Sequence, residues 1–267
     1  MKIKSIWILH ITVFLFVAVL FVLQQNELSE KYNLGLEAAE RGNYEEALNY
    51  MSSIAEYRDA PAKAEDYKLE IKYQNGLNLI EQKNWDDALT IFEQILSTKS
   101  YKDSDQKKYL CLYEQARLLA FEGEVRSAEL IFIRLPLNFM DVEQRKQVIS
   151  DYKKFAGTWR CDENNLDLKT TVYIDYNNVP RVKAVISDKD GLLLDEPITL
   201  NGEGMEILGD RFSWAIYGND SFSFVYGKDK FTVMKQPVVS GTTKHIFTRI
   251  TSTNYDAVNN SYMSTNF

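Results

Sequence analysis

Arg41-Gly42-Asn43-Tyr44-Glu45-Glu46-Ala47-Leu48 returns along the chain as Gln82-Lys83-Asn84-Trp85-Asp86-Asp87-Ala88-Leu89, which places Ala88 41 positions after Ala47. A looser third copy, Glu122-Gly123-Glu124-Val125-Arg126-Ser127-Ala128-Glu129, puts Ala128 another 40 positions on. Recurrence at such a period marks a repeat architecture, in which no unit buries its apolar face alone. The match extends outward on both sides. Twelve residues before each alanine stands a small residue (Gly35, Gly76, Ala116), and four after it a large apolar one (Met51, Phe92, Phe132). Antiparallel helices approach closely where both carry small side chains, with large neighbours filling the gaps beside the contact. Each copy therefore reads as a helical hairpin, and the first turns at Gly42-Asn43.

Small residues at these two places, with Tyr44 and Trp85 as the aromatics between them, resemble tetratricopeptide repeats over about residues 28 to 140. The period departs from the usual 34, and the proline that commonly closes the repeat is missing. The extra length has a visible source. Tyr57-Arg58-Asp59, Tyr101-Lys102-Asp103 and Phe139-Met140-Asp141 each set an aromatic two residues before an aspartate, a good N-cap. The following helices are thus expected early, at about 60 to 82, 104 to 122 and 142 to 154, the last capping the stack. This resembles a long-helix variant found in surface proteins of Gram-positive bacteria. In tetratricopeptide proteins the first helix of each pair lines a groove, and the resemblance then implies a peptide-binding face at Tyr32, Leu36, Tyr73, Leu77 and Tyr113. The alternative is that the tyrosines pack neighbouring helices together.

Upstream, Ile6 to Leu23 is an eighteen-residue run without formal charge, fourteen of its members being Ile, Leu, Val or Phe. At about 1.5 Å per residue it spans roughly 27 Å, close to a bilayer's hydrocarbon thickness. It lacks an Ala-x-Ala cleavage pattern, so it reads as a transmembrane signal anchor rather than a removed signal peptide. Lys2 and Lys4 precede it while Glu27 and Glu30 follow, which predicts a single-pass protein of the cell membrane with a cytoplasmic N-terminus and an extracytoplasmic bulk.

From Gly157 the apolar period becomes two, with candidate strands at 157–162, 168–176, 180–187, 192–200, 204–208, 211–217, 221–226, 229–236 and 243–250. Turn signals lie between them at Asp190-Gly191, Asn201-Gly202, Gly209-Asp210, Gly218-Asn219 and Gly227-Lys228. The opening Phe155-Ala156-Gly157-Thr158-Trp159 resembles the Gly-x-Trp start of lipocalin-like barrels, which implies that Arg249 on the last strand covers the tryptophan. Such a barrel is either filled by its own aromatic residues or encloses a small apolar ligand.

The expected architecture is multidomain, α then β: a cytoplasmic tip and transmembrane helix (1–26), tetratricopeptide-like α-hairpin repeats with a capping helix (27–155), an antiparallel β meander or barrel (156–250) and a disordered tail (251–267). A net charge of −7 argues against a nucleic-acid partner. Cys111 and Cys161 are the only cysteines and form no CxxC pair, so no metal site is implied, and a bridge between them stays open. Of two histidines, His10 falls in the apolar run and His245 on the last strand. No nucleotide-binding or hydrolase fingerprint is present, so no catalytic residue, cofactor or enzymatic activity is expected. The leading expectation is a scaffold whose repeats bind a protein or peptide, the alternative a small-ligand or cell-wall-glycan carrier acting through the barrel.

Overall fold

A computed structural model describes the backbone of residues 2–161, 166–188, 198–200, 205–208, 211–217, 220–227, 230–237 and 243–249, and side chains mainly over 14–161 and 166–188. The chain divides into two compact units, Met1–Cys111 and Leu112–Phe267.

In the first unit α1 (Lys2–Glu40) and α2 (Tyr44–Ser53) form one hairpin, α3 (Ala60–Glu81) and α4 (Trp85–Thr98) the next. Asn43 and Asn84 start the second helix of each pair, their side chains accepting from Glu46 N and Asp87 N. Their amide nitrogens donate back to the Glu46 and Asp87 carboxylates, so these acids close reciprocal caps and complement the helix dipole. The small residues do what their spacing implies. A Cβ on Gly35 would lie 2.8 Å from Met51 Cε, and one on Gly76 2.7 Å from Phe92 Cζ. Bare backbone is what lets the two helices of each hairpin close onto a buried Met51 or Phe92.

The membrane expectation fails here. Among the described residues no helix is long and apolar enough to cross a membrane. The run Ile6 to Leu23 lies within α1. The same helix then continues through Gln24-Gln25-Asn26-Glu27 into the first hairpin without interruption. The single-pass anchor, the membrane partner and the cell-membrane placement with its cytoplasmic N-terminus are therefore overturned.

The second unit begins within α5 (Ser104–Phe121) and adds α6 (Val125–Phe132), α7 (Val142–Tyr152) and a 3-10 turn, Lys153–Phe155. Among the described residues nine antiparallel strands follow: β1 Gly157–Cys161, β2 Leu166–Ile174, β3 Pro180–Asp188, β4 Ile198–Leu200, β5 Met205–Leu208, β6 Arg211–Tyr217, β7 Asp220–Gly227, β8 Lys230–Pro237 and β9 Thr243–Arg249. Alternation decides which face packs. Leu166, Leu168, Thr170, Val172 and Ile174 of β2 are buried, as are Val182, Ala184 and Ile186 of β3 and Trp159 and Cys161 of β1. Trp159 donates its indole N–H to Thr170 Oγ1 at 3.0 Å, and that hydroxyl donates in turn to the Phe155 carbonyl.

The strand order is β4-β3-β2-β1-β9-β8-β7-β6-β5. First and last strands pair, as closure requires, with Trp159 in register with Arg249. The ladder nevertheless stops at β4 and β5, edge strands of three and four residues, with no pairing between them among the described residues. Among the described residues no barrel is closed, which overturns that part of the expected fold. The turn signals at 190–191, 201–202, 209–210 and 218–219, Lys228 of the last pair, the side chains of His10, His245 and Arg249, and the tail from 251 lie outside the described residues.

Candidate functional site

Tyr32, Tyr73 and Tyr113 are buried, at 8%, 7% and 5% exposure. Their hydroxyls donate to Asp59, Asp103 and Asp141, the first bond being 2.6 Å long. Each aspartate precedes the next long helix, and Asp59 and Asp141 make no capping bond through the side chain. The tyrosine, 27 to 30 residues upstream, takes the carboxylate instead.

The residue before each aspartate makes this possible. Arg58, Lys102 and Met140 have φ of 48°, 45° and 48°, a left-handed kink that non-glycine residues seldom adopt. The aromatic ahead of the kink then meets the tyrosine edge-on: Tyr57 with Tyr32 and Tyr101 with Tyr73 at 5.9 Å, Phe139 with Tyr113 at 6.1 Å. In the first two copies the kink residue lays a cation over both rings, Arg58 at 5.2 and 4.9 Å and Lys102 at 4.8 and 5.5 Å. Leu36 and Leu77 pack, partly buried, against the clusters containing Tyr32 and Tyr73. All five residues expected to line a groove thus have packing partners, and three have hydrogen-bonded hydroxyls as well.

The electrostatics follow from these bonds. The Tyr73 hydroxyl holds Asp103 below its ordinary 3.8, while burial and that carboxylate push Tyr73 up to about 12. Burial would raise Glu70, but Lys102, Tyr101 and Gln74 outweigh it and hold the carboxyl below 4.5. Both cysteines are free and buried, and burial pushes Cys111 up to about 11, where the thiol is unreactive near neutrality. Among the described residues no His, Cys, Asp and Glu cluster suited to a metal ion occurs.

In the third copy Met140 takes the cation's place and Arg145 supplies the charge. Arg145, 3% exposed, donates through Nε to Asp141 Oδ1 (2.8 Å) and Tyr113 Oη (3.1 Å), and through Nη2 to the Tyr176 carbonyl (3.0 Å). Tyr176 stands on the β2–β3 turn, stacked on Phe121 at 5.0 Å with the Arg117 guanidinium 4.8 Å from its ring centre. Gly123, at φ +92°, lies so close to this hairpin that a Cβ would come within 2.6 Å of Thr171 Cγ2.

A further departure lies on the outside of α6. Counting from the repeat alanine, positions −2, +2, +5 and +6 are Glu45, Asn49, Ser52 and Ser53 in the first copy and Asp86, Thr90, Glu93 and Gln94 in the second. In the third they are Arg126, Leu130, Ile133 and Arg134. All twelve residues are exposed, so burial does not account for the change. Leu130 is 62% and Ile133 57% exposed; Leu137 and Met140 on the segment leading to α7 are 54% and 59%. Among the described residues neither the Arg126 nor the Arg134 guanidinium makes a hydrogen bond or ion pair. The sequence carried this signal, in the places where the copies differ. Compared with protein families, with curated proteins and with solved structures, the chain matches none.

Proposed function

We propose that this chain is a non-enzymatic interaction scaffold that docks a protein or peptide partner on the outer face of its third helical hairpin. One observation carries the reading. Four solvent-exposed positions that are acidic or neutral polar in two copies become arginine and large aliphatic residues in the third. Leucine and isoleucine in water contribute nothing to folding, and a cluster of them is the usual mark of a contact surface. The tyrosines and leucines of the first helices that the repeat resemblance pointed to are taken up by packing. The small-ligand form of the carrier alternative would want an enclosed barrel, and among the described residues β4 and β5 do not pair.

The test is site-specific photocrosslinking in the cells that produce the full chain. A benzophenone amino acid at position 130 is expected to give a discrete adduct with another polypeptide, and the same probe at the equivalent position 90 none. Equal labelling at both positions, or no adduct at 130, would overturn the reading.

A further inference from the structure

Resting on that docking face, the geometry points to an acidic amphipathic helix of a partner protein as its occupant. Arg126, Leu130 and Arg134 follow one another at intervals of four, which on a helix makes a single stripe, with Ile133 beside it. The α-helical bond pattern reaches Ile133, whose N donates to Glu129 O, and tightens to a 3-10 turn at Arg134, whose N donates to Ile131 O, both at 3.0 Å. The two arginines therefore stand at opposite ends of an aliphatic patch, their backbone positions about 12 Å apart along the axis. Glu129, the acid at the flank, is neutralised by Lys153 at 2.7 Å.

An apolar centre with a cation at each end is complementary to a helix bearing apolar residues flanked by carboxylates some two turns apart. The charge change makes this specific: position −2 is Glu45 and Asp86 in the other copies, so Arg126 reverses the sign. A second copy of this chain is a poor occupant. A two-fold pairing centred on Leu130 sets Arg126 of each copy against Arg134 of the other, and like charges repel. An anionic lipid surface or nucleic acid needs a broad basic face, whereas this patch offers two arginines, enough for a short helix, on a chain of net charge −7.

The full chain is titrated with two labelled peptides of about sixteen residues, each a single amphipathic helix with a leucine face, flanked by glutamates in one and lysines in the other. The glutamate peptide is expected to bind roughly tenfold more tightly, with an advantage that shrinks as salt rises. The double variant Arg126→Glu with Arg134→Glu is expected to invert the preference. Both sites are exposed, so this variant keeps the wild-type unfolding midpoint. Equal binding, no binding, or an unchanged preference in the variant overturns the proposal. So does charge-dependent binding to phosphatidylserine vesicles without peptide selectivity, or a dimer in sedimentation that the variant abolishes. If position 130 still crosslinks to a polypeptide while the peptides show no selectivity, the partner's chemistry is misassigned and the scaffold reading stands. If position 130 yields no adduct, the scaffold reading itself fails.

Discussion

Phe92→Ala is expected to destabilise the first unit by about 3–5 kcal/mol, the range for truncating a fully buried aromatic ring. Phe92 is 0% exposed, meets Tyr73 edge-on at 6.0 Å and lies over the bare backbone of Gly76. The lost contacts cannot be recovered by collapse, because the two helices already approach as closely as a glycine allows. Native-state hydrogen exchange of α3 and α4 reads the effect, as a fall in protection of roughly two to four orders of magnitude. A second substitution checks the mechanism. Gly76→Ala gains about 1 kcal/mol of helix propensity but drives a Cβ to 2.7 Å from Phe92 Cζ, so it is destabilising in the native sequence and stabilising in the Phe92→Ala background. Additive effects would mean that ring and glycine do not pack as described.

Asp141→Ala is expected to cost about 2–4 kcal/mol in the second unit, because it strands a guanidinium whose side chain is 4% exposed. The figure sits below that for a fully buried pair because Asp141 keeps 40% of its own side-chain surface in solvent. Asp59→Ala, with 58% exposure and only Tyr32 and Lys63 to lose, should have a far smaller effect. Acid tells the same story. Burial tends to raise the Asp141 pKa, yet Tyr113 and Arg145 outweigh it and hold the carboxyl below 3.8. Its stabilisation is therefore present above the unfolded value and disappears as pH falls through the folded one. Urea midpoints should be level from pH 7 to 5 and drop below about 4, less steeply in Asp141→Ala than in the native chain. An equal drop in both would remove Asp141 from the account.

Much of the local structure was written in the spacing. The pairs Gly35 with Met51 and Gly76 with Phe92 follow from a small residue and a large one sixteen positions on, and α3, α5 and α7 begin at 60, 104 and 142, where the aspartates signalled early starts. What those aspartates do was not legible. Capping is a local property, whereas the bond from Tyr32 to Asp59 depends on a left-handed kink at Arg58, and no glycine marks that kink. The break between β4 and β5 was hidden for a related reason, since strand alternation fixes faces but not which distant edges meet. A run of apolar letters likewise says nothing of how far the helix holding it continues, and α1 runs on into the first hairpin. The α6 face was legible but only by subtraction. Positions that match across copies report packing, and the four exposed positions that depart from the pattern carry the candidate site.

The most direct measurement gives the third copy the second copy's outer face. The full chain carries Arg126→Asp, Leu130→Thr, Ile133→Glu and Arg134→Gln together, with a photocrosslinking residue at position 127 on the same side of α6. The yield of the polypeptide adduct is compared with that from the same probe on the native face. These are surface positions, so the unfolding midpoint should stay within about 1 kcal/mol of the native chain. Loss of the adduct with the fold intact is the predicted result. An adduct formed in full on the replaced face would contradict the account.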